Sequence, residues 1–192
     1  MIAFSNCTSL KSVKMQGSLT DVNTAAFKGC SDLVSVTLPG SVKTISSHAF
    51  EGCKSLANFE FPVSCTKIND YAFQKCASLK EAILPKVLKS LGDHAFEDCS
   101  SLQTVIAENF LDEIETDVFM GCVSLQKIQL PNSVKRIGRN AFKGCTLLSD
   151  INWPASLKTI EDAAFEKCQS LQSLNFANGL KSIGGDAFKG CS

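Results

Sequence analysis

The sequence has few histidine, tryptophan and tyrosine residues, and no segment long and apolar enough to cross a membrane. Among 192 residues there are two histidines, one tryptophan and one tyrosine. No apolar run reaches the roughly 18 residues of a transmembrane helix, which argues against membrane insertion. Lysine plus arginine and aspartate plus glutamate each total 19, so no net charge attracts the chain to nucleic acid or to an acidic membrane.

What the sequence does have is a strict period of 23 residues. Phenylalanine recurs at that step from Phe4 to Phe188, and a cysteine follows each phenylalanine three residues later. A fixed period between about 20 and 50 residues is typical of stacked repeat proteins. We therefore predict one domain over residues 1–192, with eight coils of 23 residues and a partial ninth. Both ends fall inside a repeat, so we expect the chain to be a slice of a longer array.

Within each coil the apolar positions predict the local structure. Val36 and Leu38 are two residues apart, which is the strand period, and Pro39 stands where such a strand ends. Farther on, the A-F-x-x-C segment follows a cap-like residue such as Ser47, so we expect a short helical turn there. Glycines after the β-branched column are expected to allow a sharp bend; they are Gly92, Gly138 and Gly184.

The repeat unit S-L-x-x-V-x-L-P-x-S-V-x-x-I-G-x-x-A-F-x-G-C resembles the leucine-rich repeats of the BspA-like class, also called the Treponema pallidum type. The resemblance covers essentially the whole chain. It implies an α/β-type, right-handed leucine-rich-repeat solenoid with a parallel β-sheet on the concave side and short helical turns or extended pieces on the convex side. Members are often surface or secreted proteins of bacteria and parasitic protists, for which attachment to host or matrix is the usual proposal.

Ten cysteines raise the question of disulfides or metal binding. Nine of them recur once per coil and are interpreted as buried free thiols, because cysteine packs as a small hydrophobe; occasional oxidation is the alternative. There is no C-x-x-C motif and no histidine at ligand spacing, so we predict neither metal nor cofactor. Denatured protein is expected to titrate near ten thiols and native protein near none. Free thiols favour the cytosol, whereas the resemblance favours the cell surface.

The two histidines, His48 and His94, occupy the same repeat position two coils apart. The spacing of stacked strands places them about 10 Å from each other, which is too far for one metal ion or one proton relay. We interpret both as surface residues on a turn. No nucleophile, phosphate loop or carboxylate pair stands in a catalytic arrangement, so the chain is not expected to be an enzyme.

Two irregularities in the repeat mark candidate binding residues. Ile83 and Ile106 stand at outward strand positions that are polar in the other coils. An exposed apolar pair of this kind is typical of the centre of a contact patch, although variation that merely favours the sheet is the alternative. The polar residues expected to surround the pair are Glu60, Glu81, Thr104, Lys127 and Gln129.

The second irregularity is an acidic segment in the fifth coil, where a row of lysines in the other coils is interrupted. We expect it either to select a basic partner or cation or to be a solvated surface. The sequence lacks the D-x-[DN]-x-[DN]-G pattern of a calcium loop. The carboxylates of this segment are Glu108, Asp112, Glu113, Glu115 and Asp117.

These observations predict a non-catalytic module that recognises another protein across the concave face. The first interpretation is a surface or secreted adhesin. The second is an intracellular scaffold or sensor module of a larger, cytoplasmic protein. The third is a structural repeat that associates end to end, because array ends without polar caps expose apolar surface.

Overall fold

The computed structural model of the protein describes residues 3–108 and 111–191, and these form a parallel β-solenoid. Each pair of neighbouring strands is offset by 23 residues, as Val13 opposite Val36 and Ile137 opposite Ile160 show. In chain order the strands are β1 (Ser12–Lys14), β2 (Asp21–Val22), β3 (Ser35–Thr37), β4 (Thr44–Ile45), β5 (Lys67–Ile68), β6 (Glu81–Ile83), β7 (Ser90–Leu91), β8 (Thr104–Ile106), β9 (Glu113–Ile114), β10 (Lys127–Gln129), β11 (Arg136–Ile137), β12 (Asp150–Ile151), β13 (Thr159–Ile160) and β14 (Ser182–Ile183).

The strands form two surfaces of the solenoid. We call the surface formed by β1, β3, β6, β8, β10 and β12 face A, and the surface formed by the remaining strands face B. Face A consists of a β1–β3 pair and a four-stranded sheet in the order β6, β8, β10, β12. Face B consists of two four-stranded sheets, β2–β4–β5–β7 and β9–β11–β13–β14. The sheet of face A is therefore interrupted between β3 and β6.

A stack of phenylalanine rings runs through the core. Phe27, Phe50 and their equivalents up to Phe165 are almost completely buried. Their neighbouring centroids lie 5.0 to 5.6 Å apart with nearly parallel planes. The leucine, cysteine and isoleucine columns pack around this stack, which confirms the inward positions expected from the repeat.

The predicted helical turn is wrong, because the described residues contain no α-helix. In an α-helix, successive N–H groups all bond four residues back. Here they alternate: the N–H groups of His48 and Phe50 donate to the next coil, at 3.0 Å and 2.8 Å, while that of Glu51 donates to the His48 carbonyl at 3.2 Å. His48 and Gly52 have φ of 61° and 72°, and a positive φ at such positions is typical of tight turns. The segment is thus a run of tight turns tied to the neighbouring coil.

The glycines expected to allow a bend are needed for a different reason. A Cβ atom on Gly92 would lie 2.5 Å from the backbone nitrogen of Asp70 and 2.7 Å from the carbonyl carbon of Asn69. The φ angle of Gly92 is not in the left-handed region. Glycine is required there because two coils approach closely.

The left-handed turn positions lead to a stability prediction. Gly144 has φ of +77°, and a Cβ there would meet nothing nearer than 3.9 Å, so Gly144→Ala isolates the cost of backbone strain. We expect the substitution to lower the free energy of unfolding by about 1–2 kcal/mol. Urea denaturation measures the change. Gly40→Ala is the matched control, since Gly40 has no positive φ and no atom within 4 Å of its Cβ position. Equal stability of the two variants would contradict the expectation.

Candidate functional site

The centre of face A carries the isoleucine pair. Ile83 on β6 is directly opposite Ile106 on β8, and Gln129 on β10 is opposite Ile106 on its other side. Ile83 is 56 % exposed and Ile106 is partly exposed. The structure therefore places these two β-branched side chains next to each other on the surface. A parallel row on the same strands consists of Glu81, Thr104 and Lys127.

Glu60 lies at an interruption of face A that the sequence analysis did not predict. The segment 58–61, which aligns with the strands of its neighbours, belongs to no strand. A groove of about 480 Å³ opens beside it. Its lining residues are Asn58, Phe59, Glu60, Phe61, Glu81 and Ile83. The signal in the sequence is F-E-F, because two phenylalanines occupy the inward positions that smaller residues fill in most coils.

Some carboxylates on and beside face A form ion pairs with lysines, and others do not. Lys127 lies 3.0 Å from a carboxylate oxygen of Asp150, and Lys86 lies 3.4 Å from one of Glu108. Glu60 and Glu81, by contrast, form no ion pair with any residue in the described ranges. Two unpaired negative charges therefore flank the groove.

The acidic segment is distributed over more than one surface, and cations of neighbouring coils contact its carboxylates. Glu113 is on β9 of face B, where the guanidinium of Arg136 donates hydrogen bonds to it and to Glu115. Burial disfavours the charged form of Arg136, but these hydrogen bonds outweigh burial and raise its pKa. Lys135 Nζ lies 3.2 Å from Asp112 Oδ2.

The histidine positions form a stacked row with acidic neighbours. The ring of Tyr71 lies between those of His48 and His94, with centroid distances of 4.7 Å and 4.5 Å. His94 Nδ1 is 2.9 Å from Glu97 Oε2, and His94 Nε2 is 3.6 Å from Asp117 Oδ2. The sequence interpretation missed Glu97, although H-x-x-E occurs at both histidines, and it did not connect Asp117 of the acidic segment with His94. Within residues 3–108 and 111–191, no group of histidine, cysteine and carboxylate side chains is arranged to hold a metal ion.

The cysteines that recur once per coil form a ladder along the array, in which thiols donate hydrogen bonds to backbone carbonyls of the turns. All ten are free, and the Sγ of Cys53 donates to the carbonyl of Phe27 at 3.2 Å, as its equivalents do along the array. Burial raises the pKa of Cys53 and of Cys168 to about 12. The expectation that native protein titrates near none of its thiols is corrected at the two ends of the row, because Cys7 is exposed and Cys191 is partly exposed.

The comparison with protein families decides what kind of array this is. The sequence model of the BspA type leucine-rich repeat region, in six copies, matches residues 1–122 and 66–192. The chain belongs to this family. No curated protein sequence matches this BspA-type array.

Solved structures of bacterial leucine-rich repeat proteins share the fold. One from Bacteroides ovatus is 29 % identical with a TM-score of 0.87, over 98 % of this chain and 55 % of that one. The leucine-rich repeat protein of Treponema pallidum is 33 % identical with a TM-score of 0.72, over 77 % of this chain and 69 % of that one. A leucine-rich cell surface protein from Faecalibacterium prausnitzii is 25 % identical with a TM-score of 0.56, over 95 % of this chain and 61 % of that one.

The BspA-type array thus spans about half the length of the Bacteroides protein, 55 % of that chain. In the described part of the chain there is no helix with the length and hydropathy that crossing a bilayer requires. The family and the fold are those of a repeat protein that presents an extended surface.

Thiol accessibility gives a direct check of the cysteine ladder. We expect a thiol reagent to modify Cys7 rapidly and Cys191 more slowly in the native protein, because the other eight thiols are buried. Ten thiols are expected after denaturation. Mass spectrometry of the native protein at successive times counts the modified thiols. The Cys7→Ser variant should lack the fast phase of modification. Fewer than ten thiols in the denatured, unreduced protein would contradict the free-thiol assignment.

Glu51 gives a prediction about pH. Burial alone would raise the pKa of its carboxyl, but hydrogen bonds with Lys28 and His48 outweigh burial and lower the pKa below its usual value. A lowered folded-state pKa contributes stability above the unfolded-state pKa, and that contribution is lost as the pH falls through the folded-state value.

We therefore expect Glu51→Gln to lower the free energy of unfolding at pH 7 by about 0.5–1 kcal/mol, with the difference from the parent disappearing below about pH 4. Urea denaturation at several pH values measures it. Glu60→Gln removes a carboxylate of the same kind and is the control, because Glu60 has no ion pair with the described residues. A pH-independent difference for Glu51→Gln would contradict the assignment.

Proposed function

We propose that this array is a non-catalytic protein-recognition module of a surface or secreted adhesin, and that face A is the surface that contacts the partner. The observation that carries the proposal is the isoleucine pair: Ile83, on the edge strand β6, is exposed, and Ile106, beside it on β8, is partly exposed. Polar residues of the same face surround the pair, as in the rim of a protein interface. We assign face A to the concave side, as in the family.

Burial of the pair against a partner would contribute useful binding energy. Fully burying an isoleucine side chain that is otherwise exposed contributes about 1.5–3 kcal/mol. The two side chains are adjacent, so a single apolar group on the partner can cover both. The long sheet from β6 to β12 supplies the rigid support that a contact surface needs.

The acidic segment is a weaker candidate for the primary contact. A basic partner would have to displace Arg136 from Glu113 and Glu115. It would also compete with Lys135 for Asp112. We therefore propose the acidic segment as a secondary surface that adjusts selectivity.

The adhesin assignment takes its support from the family. One of the similar structures is described as a leucine-rich cell surface protein. An antibody to this chain, applied to intact and to permeabilised source cells, tests the location. Staining of intact cells supports the adhesin, whereas staining only after permeabilisation supports the intracellular scaffold.

Two alternatives rest on particular observations. Ten free thiols without a disulfide favour a reducing compartment, as expected of an intracellular scaffold or sensor. Exposed apolar residues near the two ends of the array, such as Phe4 and Ile183, favour end-to-end association. Light scattering at increasing protein concentration tests the latter, and a monomer at all concentrations would rule it out.

The role of face A is tested by charge substitution. We expect Ile83→Lys combined with Ile106→Lys to reduce partner binding at least tenfold, because two charges would have to be buried in the interface. The chain, biotinylated, is applied to an array of purified matrix and cell-surface proteins, and the bound signal is measured for each variant.

The control for this test is Val123→Lys combined with Leu147→Lys. Both residues are exposed apolar residues, at 43 % and 47 %, and lie in turn segments outside face A. This control adds the same two charges and should leave binding unchanged. If the parent and the Ile83→Lys/Ile106→Lys variant give identical binding profiles, face A is not the contact surface.

A further inference from the structure

The interruption of face A leaves backbone groups without partners. Two coils before the interrupted coil and one coil after it, Met15 and Leu84 donate their N–H groups to the next coil, each at 2.9 Å. Phe61 is the equivalent residue in the interrupted coil. Its N–H, like the N–H groups of residues 57–60, donates to no residue in the part of the chain that the structure describes. On face A, strand pairing between coils resumes only at β6.

Two aromatic side chains explain the interruption. The ring of Phe59 packs edge-on against Phe50 and Phe73, with centroid distances of 5.1 Å and 4.8 Å. The ring of Phe61 packs edge-on against Phe73 at 5.4 Å. Strands in one sheet must stay about 4.8 Å apart, and two rings inserted beside the phenylalanine stack hold this segment out of the ladder. The irregularity is thus built into the core and does not depend on a ligand.

The groove that results has a defined chemistry. Free backbone donors line it, Ile83 supplies apolar surface, and the carboxylates of Glu60 and Glu81 flank it. Neither carboxylate has an ion-pair partner in residues 3–108 and 111–191, whereas Asp150 and Glu108 each have a lysine. An unpaired backbone N–H needs an acceptor, and two unpaired carboxylates on adjacent coils attract a cation.

We propose that this groove, lined by Asn58, Phe59, Glu60, Phe61, Glu81 and Ile83, binds an extended segment of a partner protein in which a lysine or arginine stands next to an apolar residue. The backbone carbonyls of that segment accept hydrogen bonds from the free N–H groups, as when a strand is added to a sheet edge. The cation lies between Glu60 and Glu81, and the apolar side chain packs on Ile83. This inference rests on the proposed function and specifies the chemistry of the partner.

The probe for this inference is a pair of short peptides. One is a fluorescein-labelled hexapeptide of alternating arginine and valine, and the other alternates glutamate and valine. Fluorescence anisotropy with the whole 192-residue chain measures both affinities. We expect the arginine peptide to bind at least tenfold more tightly. In two-dimensional NMR spectra it should shift the amide signals of residues 58–61 and 81–83.

Charge reversal makes the test specific. Glu60→Lys combined with Glu81→Lys should invert the preference, so that the glutamate peptide binds more tightly. Asp21→Lys combined with Asp32→Lys is the control, because both aspartates are exposed, lie outside the groove and give the same change in net charge. If the reversed variant fails to fold, as judged by circular dichroism, Glu60→Gln with Glu81→Gln should bring the two peptides to nearly equal affinity.

Three results would overturn the inference: equal binding of the two peptides by the parent chain, an unchanged preference in the Glu60/Glu81 variants, or amide shifts confined to other residues. These results are distinguishable from failure of the proposed function. Suppose that the Ile83→Lys/Ile106→Lys variant loses partner binding but the parent chain shows no preference between the peptides. Face A would then remain the contact surface, and the inference of a basic partner segment would be wrong. If the Ile83→Lys/Ile106→Lys variant binds partners as tightly as the parent does, face A is not the recognition surface, whatever the peptides show.

Discussion

The 23-residue register between coils is the constraint on which the rest of the structure depends. Because every coil has the same length, equivalent residues always lie in adjacent coils, and each side-chain type forms a continuous column. The stacked phenylalanine rings, about 5.3 Å apart, form one of the fully buried columns. An insertion of one residue would put part of that coil out of register with its neighbours, so that polar side chains would lie opposite apolar ones at that junction. The stability of the array is therefore a property of neighbouring coils.

The same register explains why cysteine recurs. The Phe50 carbonyl accepts the N–H of Cys53 within its own turn and the thiol of Cys76 from the next coil. A buried carbonyl needs such partners, and a thiol supplies a weak donor in a small apolar side chain. The cysteines therefore contribute packing and hydrogen bonding, and their burial raises their pKa values and suppresses thiolate chemistry.

Departures from the repeat are where recognition chemistry arises on this scaffold. The regular coils contribute a uniform sheet with little to distinguish one coil from the next. Phe59 and Phe61 displace one segment from that sheet, and Ile83 and Ile106 replace polar residues in the two coils that follow. These substitutions lie next to one another, so the apolar pair and the groove form one continuous part of face A.

Much of this protein was determined by its sequence alone. The period predicted the parallel coils, the core columns and the opposition of Ile83 and Ile106, because a strict repeat leaves only one way to stack. The tertiary structure decided whether each turn N–H bonds within its own coil or to the next one, which is why the predicted helical turn was wrong. It also decided the gap beside Phe61 and the contacts of Arg136 with two glutamates. These features depend on side-chain volume and on distances across coils, which the periodicity of a sequence does not contain.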